Sequence, residues 1–195
     1  MLRYSGLLVY LVGPSGAGKD SLLEAARQHF AAKEIPIPYT SLSFARRYIT
    51  RPAKAGNEDH IELSIEEFLA RSKGGDFVME WHRHGLSYGI GREILPILEQ
   101  GGLVVMNGSR AYAAEAIALV APLLLVEVKV QPEVLRRRLE LRGRESKEAI
   151  EARLRQAEIP LPKGAPHLCI DNSGSVELAQ QSFINILNNT PPYTA

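Results

Sequence analysis

The sequence predicts an α/β fold in which a central parallel sheet is covered by helices on both faces. Three observations lead there. The apolar run Leu7–Val12 is followed by a glycine-rich turn and then by a helical segment that opens at Leu22. Further apolar runs at 103–106, 123–130 and 168–170 alternate with helical stretches, and this alternation is the pattern of parallel strands joined by crossover helices. Finally, the polar stretch from about 35 to 91 carries only short strand signals and is too long to be a loop, so it reads as an inserted subdomain.

The elements follow in order. Leu7–Val12 is a buried strand, because it is continuously apolar and short. Gly13-Pro14-Ser15-Gly16-Ala17-Gly18-Lys19-Asp20-Ser21 comes next, then the helix beginning Leu22-Leu23-Glu24-Ala25-Ala26-Arg27. Ile65–Arg71 is a short helix, with Ser64 as N-cap and Glu67 three residues on forming a capping box. Gly101-Gly102 stops a helix and opens the strand 103–106. The alanine-rich stretch 111–120 is helical. The strand 123–130 precedes a helix started by Pro132, whose fixed φ suits a first helical position. An arginine-rich break leads to a helix over about 146–158, then the strand 168–170 and a last helix over about 175–187.

Composition narrows the function classes. The chain has 195 residues, 45% hydrophobic and 23% charged, which suits one soluble domain with a substantial core. A net charge of +1 gives no bulk attraction to nucleic acid or to a membrane surface. Cys169 is the single cysteine, so no internal disulfide forms; within His167-Leu168-Cys169-Ile170 it reads as a buried, inert thiol. No apolar stretch is long enough to span a bilayer, and the opening run reads as a strand rather than a signal peptide, so the expected home is the cytoplasm.

Strand, glycine-rich turn with a lysine, then helix is the phosphate-binding P-loop arrangement. The glycines let the backbone curl its N–H groups toward phosphate oxygens, and the helix N-terminus adds partial positive charge. Gly13, Pro14, Ser15, Gly16, Ala17 and Gly18 form the cradle, and Lys19 reaches the outer phosphates. Such loops place Ser or Thr after the lysine, where the hydroxyl binds Mg²⁺. Here Asp20 stands there and Ser21 supplies a hydroxyl one place later, so both are candidate Mg²⁺ ligands.

Basic residues cluster twice more. Leu135-Arg136-Arg137-Arg138-Leu139-Glu140-Leu141-Arg142-Gly143-Arg144 sets Arg138 and Arg142 on one helix face, and Arg153 follows in the next helix. Arginine forks match phosphate oxygens, and two helices around an arginine-flanked glycine suit a closing lid. A solvated, salt-bridged helix face is the alternative. Arg46-Arg47-Tyr48-Ile49-Thr50-Arg51-Pro52-Ala53-Lys54 suits a second anionic ligand, with a solvated loop as the alternative. His82 and His84 lack a third metal ligand at convincing spacing, and His60 reads as a hydrogen-bonding residue.

Taken together, these residues resemble the guanylate kinase family over nearly the whole chain. The matching landmarks are the motif at 13–19, Thr50-Arg51-Pro52, Glu80-Trp81, Tyr88-Gly89, Arg138 with Arg142-Gly143, Arg153 and Asn172. The resemblance implies a P-loop nucleoside-monophosphate-kinase-like three-layer fold: a core of 1–34 and 92–195, an acceptor-binding insert at about 35–91, and an arginine-rich lid at about 138–153. It implies ATP as phosphate donor with Mg²⁺, an adenine contact at Asn172, and transfer assisted by Lys19, Arg138, Arg142 and Arg153. Arg47, Arg51, Lys54, His60, Glu80 and Tyr88 are then the acceptor-binding residues, with Glu80 set against ribose hydroxyls. No nucleic acid or membrane partner is implied.

The departures bear on the acceptor. Arg47 and Ile90 stand where guanylate kinases use hydroxyls to hold guanine, His60 where they have a phosphate-binding tyrosine, and Lys54 where they have an arginine. The stretch 104–110 lacks their acidic residue. A base-binding site selects by its polar groups, so losing these hydroxyls argues against guanine. The pattern resembles the branch of the family that uses ATP to phosphorylate the 1-phosphate of ribose 1,5-bisphosphate, a sugar bisphosphate, giving 5-phosphoribosyl 1-diphosphate (PRPP) in phosphonate catabolism. A guanylate kinase and a non-catalytic guanylate-kinase-like interaction module are the alternatives.

Overall fold

The first strand, β1 (Leu2–Val12), is the central strand of a five-stranded parallel sheet. The computed structural model describes residues 2–32, 37–53, 58–143, 146–157 and 160–192. On either side of β1 lie β7 (Leu103–Asn107) and β8 (Val120–Lys129), and the edges are β2 (Leu42–Phe44) and β9 (His167–Asp171). The order β2-β7-β1-β8-β9 brings the carboxyl ends of β1, β7 and β8 to one rim, where the chain leaves the sheet into its loops. Open α/β sheets bind ligands at that rim, where the connections diverge.

Alternation along β1 explains the layers. Leu7, Val9 and Leu11 pack with α1 (Lys19–Ala31) and α7 (Val176–Asn189), through Leu22, Leu23, Ala26, Ala179 and Phe183. Leu8, Tyr10 and Val12 face the other side, with Ile94, Leu95 and Leu98 of α3 (Ile94–Glu99) and Ala113 and Ala116 of α4 (Ala113–Leu119). Both faces are dry, which accounts for the unbroken apolar run. Where the sequence suggested one helix over 111–120, a 3₁₀ turn at Arg110–Tyr112 precedes α4, and Val120 already begins β8.

A smaller sheet packs beside the Leu8, Tyr10 and Val12 face through Met79, Trp81 and Ile90. It comprises β3 (Tyr48–Ile49), β4 (Ile61–Glu62), β5 (Phe77–Arg83) and β6 (Leu86–Gly91), in the order β4-β3-β6-β5. Helix α2 (Ile65–Gly74) covers one face, its Phe68 stacked 4.8 Å from Phe77. The expected capping box is present: Ser64 accepts from the Glu67 amide, and the Glu67 carboxylate accepts from the Ser64 amide. The expected insert boundary at 35 needs correction. Residues 42–44 pair in parallel with Leu103–Val105, so they belong to the main sheet, and the chain enters the second sheet only at β3.

Two helices, α5 (Pro132–Arg142) and α6 (Lys147–Ala157), follow β8. Leu135, Leu139 and Ile150 form their own small core, and Arg136 pairs with Glu151 across the helices. Gly143, with φ of 61°, ends α5 in the left-handed conformation that glycine tolerates. Among the described residues no helix is long and apolar enough to cross a membrane.

Candidate active site

Between β1 and α1 the chain makes the phosphate cradle. Gly18 has φ of +91°, and a Cβ there would lie 2.4 Å from Asn172 Nδ2, so the position needs glycine twice over. The Lys19 ammonium donates to the carbonyls of Gly13 (2.8 Å) and Pro14 (3.2 Å). It therefore bridges the two ends of the loop whose amides would hold phosphate. Burial pushes the Lys19 pKa down to about 8, against the opposing pull of the Asp20 carboxylate.

At the end of β7, Asn107 sits beside Leu11 and donates from Nδ2 to Asp20 Oδ1 at 3.0 Å. Asn107 Oδ1 is buried and has no hydrogen-bond partner. The strand end and the loop helix thus combine an amide and a carboxylate, Asn107 and Asp20. Ser21 is the expectation that needs correcting. It lies two residues past Lys19, about 200° around the helix, and its hydroxyl accepts from Gln180 of α7 at 3.1 Å. It faces the neighbouring helix, and the metal candidates reduce to Asp20 with Asn107.

The turn after β7 rests on Tyr10. The Tyr10 hydroxyl accepts from the Ser109 amide and donates to the Ser109 carbonyl (3.0 and 3.1 Å), while a Cβ at Gly108 would meet the Tyr10 ring at 2.3 Å. This fixes Arg110, which donates to Glu127 Oε1 at 2.6 Å in a buried pair.

The acceptor side is built differently from expectation. Arg47 grips Glu58 with both fork nitrogens at 2.5 Å, and Arg51 reaches the same carboxylate at 3.3 Å. Burial raises the Glu58 pKa, but the Arg47 hydrogen bonds and the Arg47 and Arg51 charges outweigh it and leave it below the usual carboxylate value. Glu58, which sequence reasoning missed, is the hub of this wall. Arg47 also lies over the Tyr88 ring at 5.2 Å, Tyr88 stacks on Trp81 at 5.4 Å, and Trp81 on Tyr112 at 5.4 Å. Thr50 Oγ1 accepts from the Ser87 amide at 2.9 Å, which ties Thr50-Arg51-Pro52 to the hairpin carrying Tyr88.

Other expected contacts are repositioned. His60 is only 3% exposed, with Nε2 3.0 Å from the Arg51 carbonyl and Nδ1 3.0 Å from the Glu58 carbonyl, so it shapes the loop from beneath. Glu80 is exposed and, by alternation along β5, lies on the face opposite Trp81 and Tyr88. Asn172 is buried and donates to the Ala17 carbonyl at 2.7 Å, so it fastens the cradle. Ile90 is fully buried in the core behind the wall. Lys54 lies outside the described residues. Arg138 and Arg153 are half-buried on α5 and α6, the helices of the expected lid; Arg142 occupies the last turn of α5. Leu135 and Leu139 of α5 abut Gly16, which packs α5 directly on the glycine-rich loop.

Removing the hub has a calculable consequence. Glu58→Ala leaves the half-buried Arg47 without its partner, so the expected loss lies between the roughly 1 kcal/mol of an exposed pair and the about 3–5 kcal/mol of a fully buried one. Denaturant unfolding should show that loss. A change under about 0.5 kcal/mol, the usual range for surface substitutions, would mean the pair is solvated.

Comparison with known proteins now bears on the site. The chain is 43% identical over 181 residues to the ribose 1,5-bisphosphate phosphokinase PhnN of Burkholderia pseudomallei, covering 92% of this chain and 94% of that protein. It is 44% identical over 187 residues to the corresponding enzyme of Chromobacterium violaceum, covering 96% of each. The chain belongs to the ribose 1,5-bisphosphate phosphokinase family. The fold is shared with a guanylate kinase from Anaplasma phagocytophilum, with a TM-score of 0.58 at 20% identity over all of this chain and 90% of that one. No family model matches the chain. In this family member two arginines converge on one glutamate, and Ile90 is withdrawn into the core.

Proposed function

We propose that the protein transfers the γ-phosphoryl group of ATP to the 1-phosphate of ribose 1,5-bisphosphate, giving PRPP and ADP. The observation that carries this reading is the full-length likeness to enzymes of that name. The acceptor wall agrees with it, since arginines stand where a base reader needs neutral donors and acceptors.

An oxygen of the 1-phosphate attacks. It is already anionic, so the reaction needs no general base, and catalysis reduces to positioning and charge neutralisation. The loop amides and Lys19 hold the donor phosphates. Arg138, Arg142 and Arg153 approach the transferred group from the lid. Arg47, Arg51 and Tyr88 hold the acceptor, with Glu58 fixing the two forks. Mg²⁺ fits the Asp20 carboxylate and the unpartnered Asn107 Oδ1, and when bound it neutralises charge on the donor phosphates. The cytoplasm, where ATP is supplied, is the compartment this reaction requires.

Phosphorus NMR of a mixture of enzyme, Mg-ATP and ribose 1,5-bisphosphate tests the reaction. The expected product carries a new diphosphate on the sugar, with ADP in equal amount. ADP with free phosphate and no sugar diphosphate would reject the transfer. A second test concerns Asp20. Asp20→Ala should raise the Mg²⁺ concentration needed for half-maximal rate; an unchanged Mg²⁺ dependence at full activity would remove Asp20 from the metal site.

A further inference from the structure

Near the carboxyl end of β8, the neighbouring edge strand β9 brings two side chains from its first half to Glu127, and none of the three has a part in the chemistry above. Glu127 and Cys169 are directly opposite in the strand register, and His167, two residues earlier on β9, shares their face. His167 Nε2 lies 3.2 Å from Glu127 Oε2, Cys169 Sγ lies 3.7 Å from the same oxygen, and Cys169 Sγ lies 3.5 Å from His167 Nε2. The thiol is exposed, contrary to the buried, inert cysteine expected from the sequence, because β9 is an edge strand.

These three distances match one face of a tetrahedron around zinc. With bonds of about 2.0 Å to oxygen, 2.05 Å to nitrogen and 2.3 Å to sulfur, tetrahedral angles put the ligand atoms about 3.3 Å (O to N), 3.5 Å (O to S) and 3.6 Å (N to S) apart. The geometry points to a binding site for a thiophilic divalent cation, of the Zn²⁺ class, formed by Glu127, His167 and Cys169.

The surroundings support that assignment. Arg110 occupies Glu127 Oε1 and so orients the carboxylate while leaving Oε2 for the ion, the role outer partners play at metal centres. Glu127 and His167 line a cavity of about 590 Å³, with room for water as a fourth ligand. The competing cation is Lys129, 3.5 Å from Oε2 and hydrogen-bonded to Cys169 as well, but its side chain is 59% exposed, so an arriving metal ion can displace it toward solvent. A mixed carboxylate, imidazole and thiol set favours zinc or cobalt over Mg²⁺, which prefers oxygen ligands alone. On binding, the metal–sulfur bond replaces the S–H bond, and the thiol proton leaves to solvent.

Cobalt(II) is the spectroscopic probe, titrated into the intact, ligand-free protein. One ion per chain should bind, with a thiolate-to-cobalt charge-transfer band, intense visible bands of a tetrahedral ion, and release of a proton; Zn²⁺ should displace it. Cys169→Ser should abolish the charge-transfer band. His167→Ala should weaken binding and reduce the visible bands, and Lys129→Met should tighten binding. Both ligand substitutions are at exposed positions on an edge strand, and circular dichroism checks that each variant folds. Absence of the charge-transfer band in the parent protein would overturn the site. So would a spectrum and affinity unchanged by His167→Ala, which would mean that the lone thiol binds the probe.

Discussion

Lys19→Met is expected to lower kcat by about 10²–10³, the cost of removing one preorganised donor from a site where charge develops. Structurally the change is mild: methionine keeps most of the side chain's length and loses the ammonium that donates to the Gly13 and Pro14 carbonyls. Denaturation midpoints should therefore stay close to the parent's while turnover falls. The same lysine sets a pH limit. Only its protonated form neutralises phosphate, and burial has lowered its pKa to about 8 in the free protein. As pH rises through that value the cation is lost, so kcat/KM for Mg-ATP should fall on the alkaline side with a midpoint at about 8. Lys19→Arg, which stays charged, should flatten that limb whatever its activity at neutral pH. Full turnover in Lys19→Met, or an alkaline limb that persists in Lys19→Arg, would remove Lys19 from the role assigned to it.

The second large effect is expected at the lid. Arg138→Ala should reduce kcat by about 10³ or more, by analogy with arginines that stabilise the transferring phosphoryl group. It should leave folding intact, because α5 and α6 are held by Leu135, Leu139, Ile150 and the Arg136–Glu151 pair, none of which involves Arg138. The split between parameters is informative. An arginine that acts only when the lid closes on the reacting group lowers kcat and kcat/KM alike, whereas a simple ground-state binder raises KM with kcat unchanged. Steady-state kinetics against both substrates separates the two. A rise in KM alone would place Arg138 in binding, and parent-like kinetics would remove it from the site.

The parts of this molecule that were legible in the sequence are those fixed by local pattern. An unbroken apolar run marks a strand covered on both faces, and β1 is that strand. Ser64 with Glu67, and Pro132 at a helix start, signal their helices because their hydrogen-bonding consequences are confined to one turn. The P-loop is legible for the same reason: strand, turn and helix are contiguous.

What the sequence hid are partnerships made by the fold. Glu58 is one acid in a polar stretch, and only the closing of β3 against β4 brings it to Arg47 and Arg51. Asn107 reaches Asp20 across 87 residues, and Asn172 reaches Ala17 across 155, by parallel strands ending at the same rim. A signal for Asn107 was present in hindsight: it is the last residue of an apolar strand beside the P-loop strand, the place where such sheets present ligand-binding groups. Ser21 could have been set aside from helical periodicity alone. His60 could not, since nothing near it in sequence announces burial. The partnership of Arg47 also alters the acceptor reasoning. Arg47 is not a loose cation awaiting phosphate; it is held by Glu58 through both fork nitrogens.

The central claim is the acceptor, and one comparison tests it: kcat/KM for ribose 1,5-bisphosphate against kcat/KM for GMP, with Mg-ATP in excess and one enzyme preparation. GMP carries no second phosphate to meet the Arg47 and Arg51 forks, and a site whose own polar groups go unpaired rejects the poorer ligand by about 10⁴ or more. The expected ratio is of that order in favour of the sugar bisphosphate. A ratio near unity, or one favouring GMP, would contradict it and make the wall of Arg47, Arg51 and Glu58 a nucleotide site.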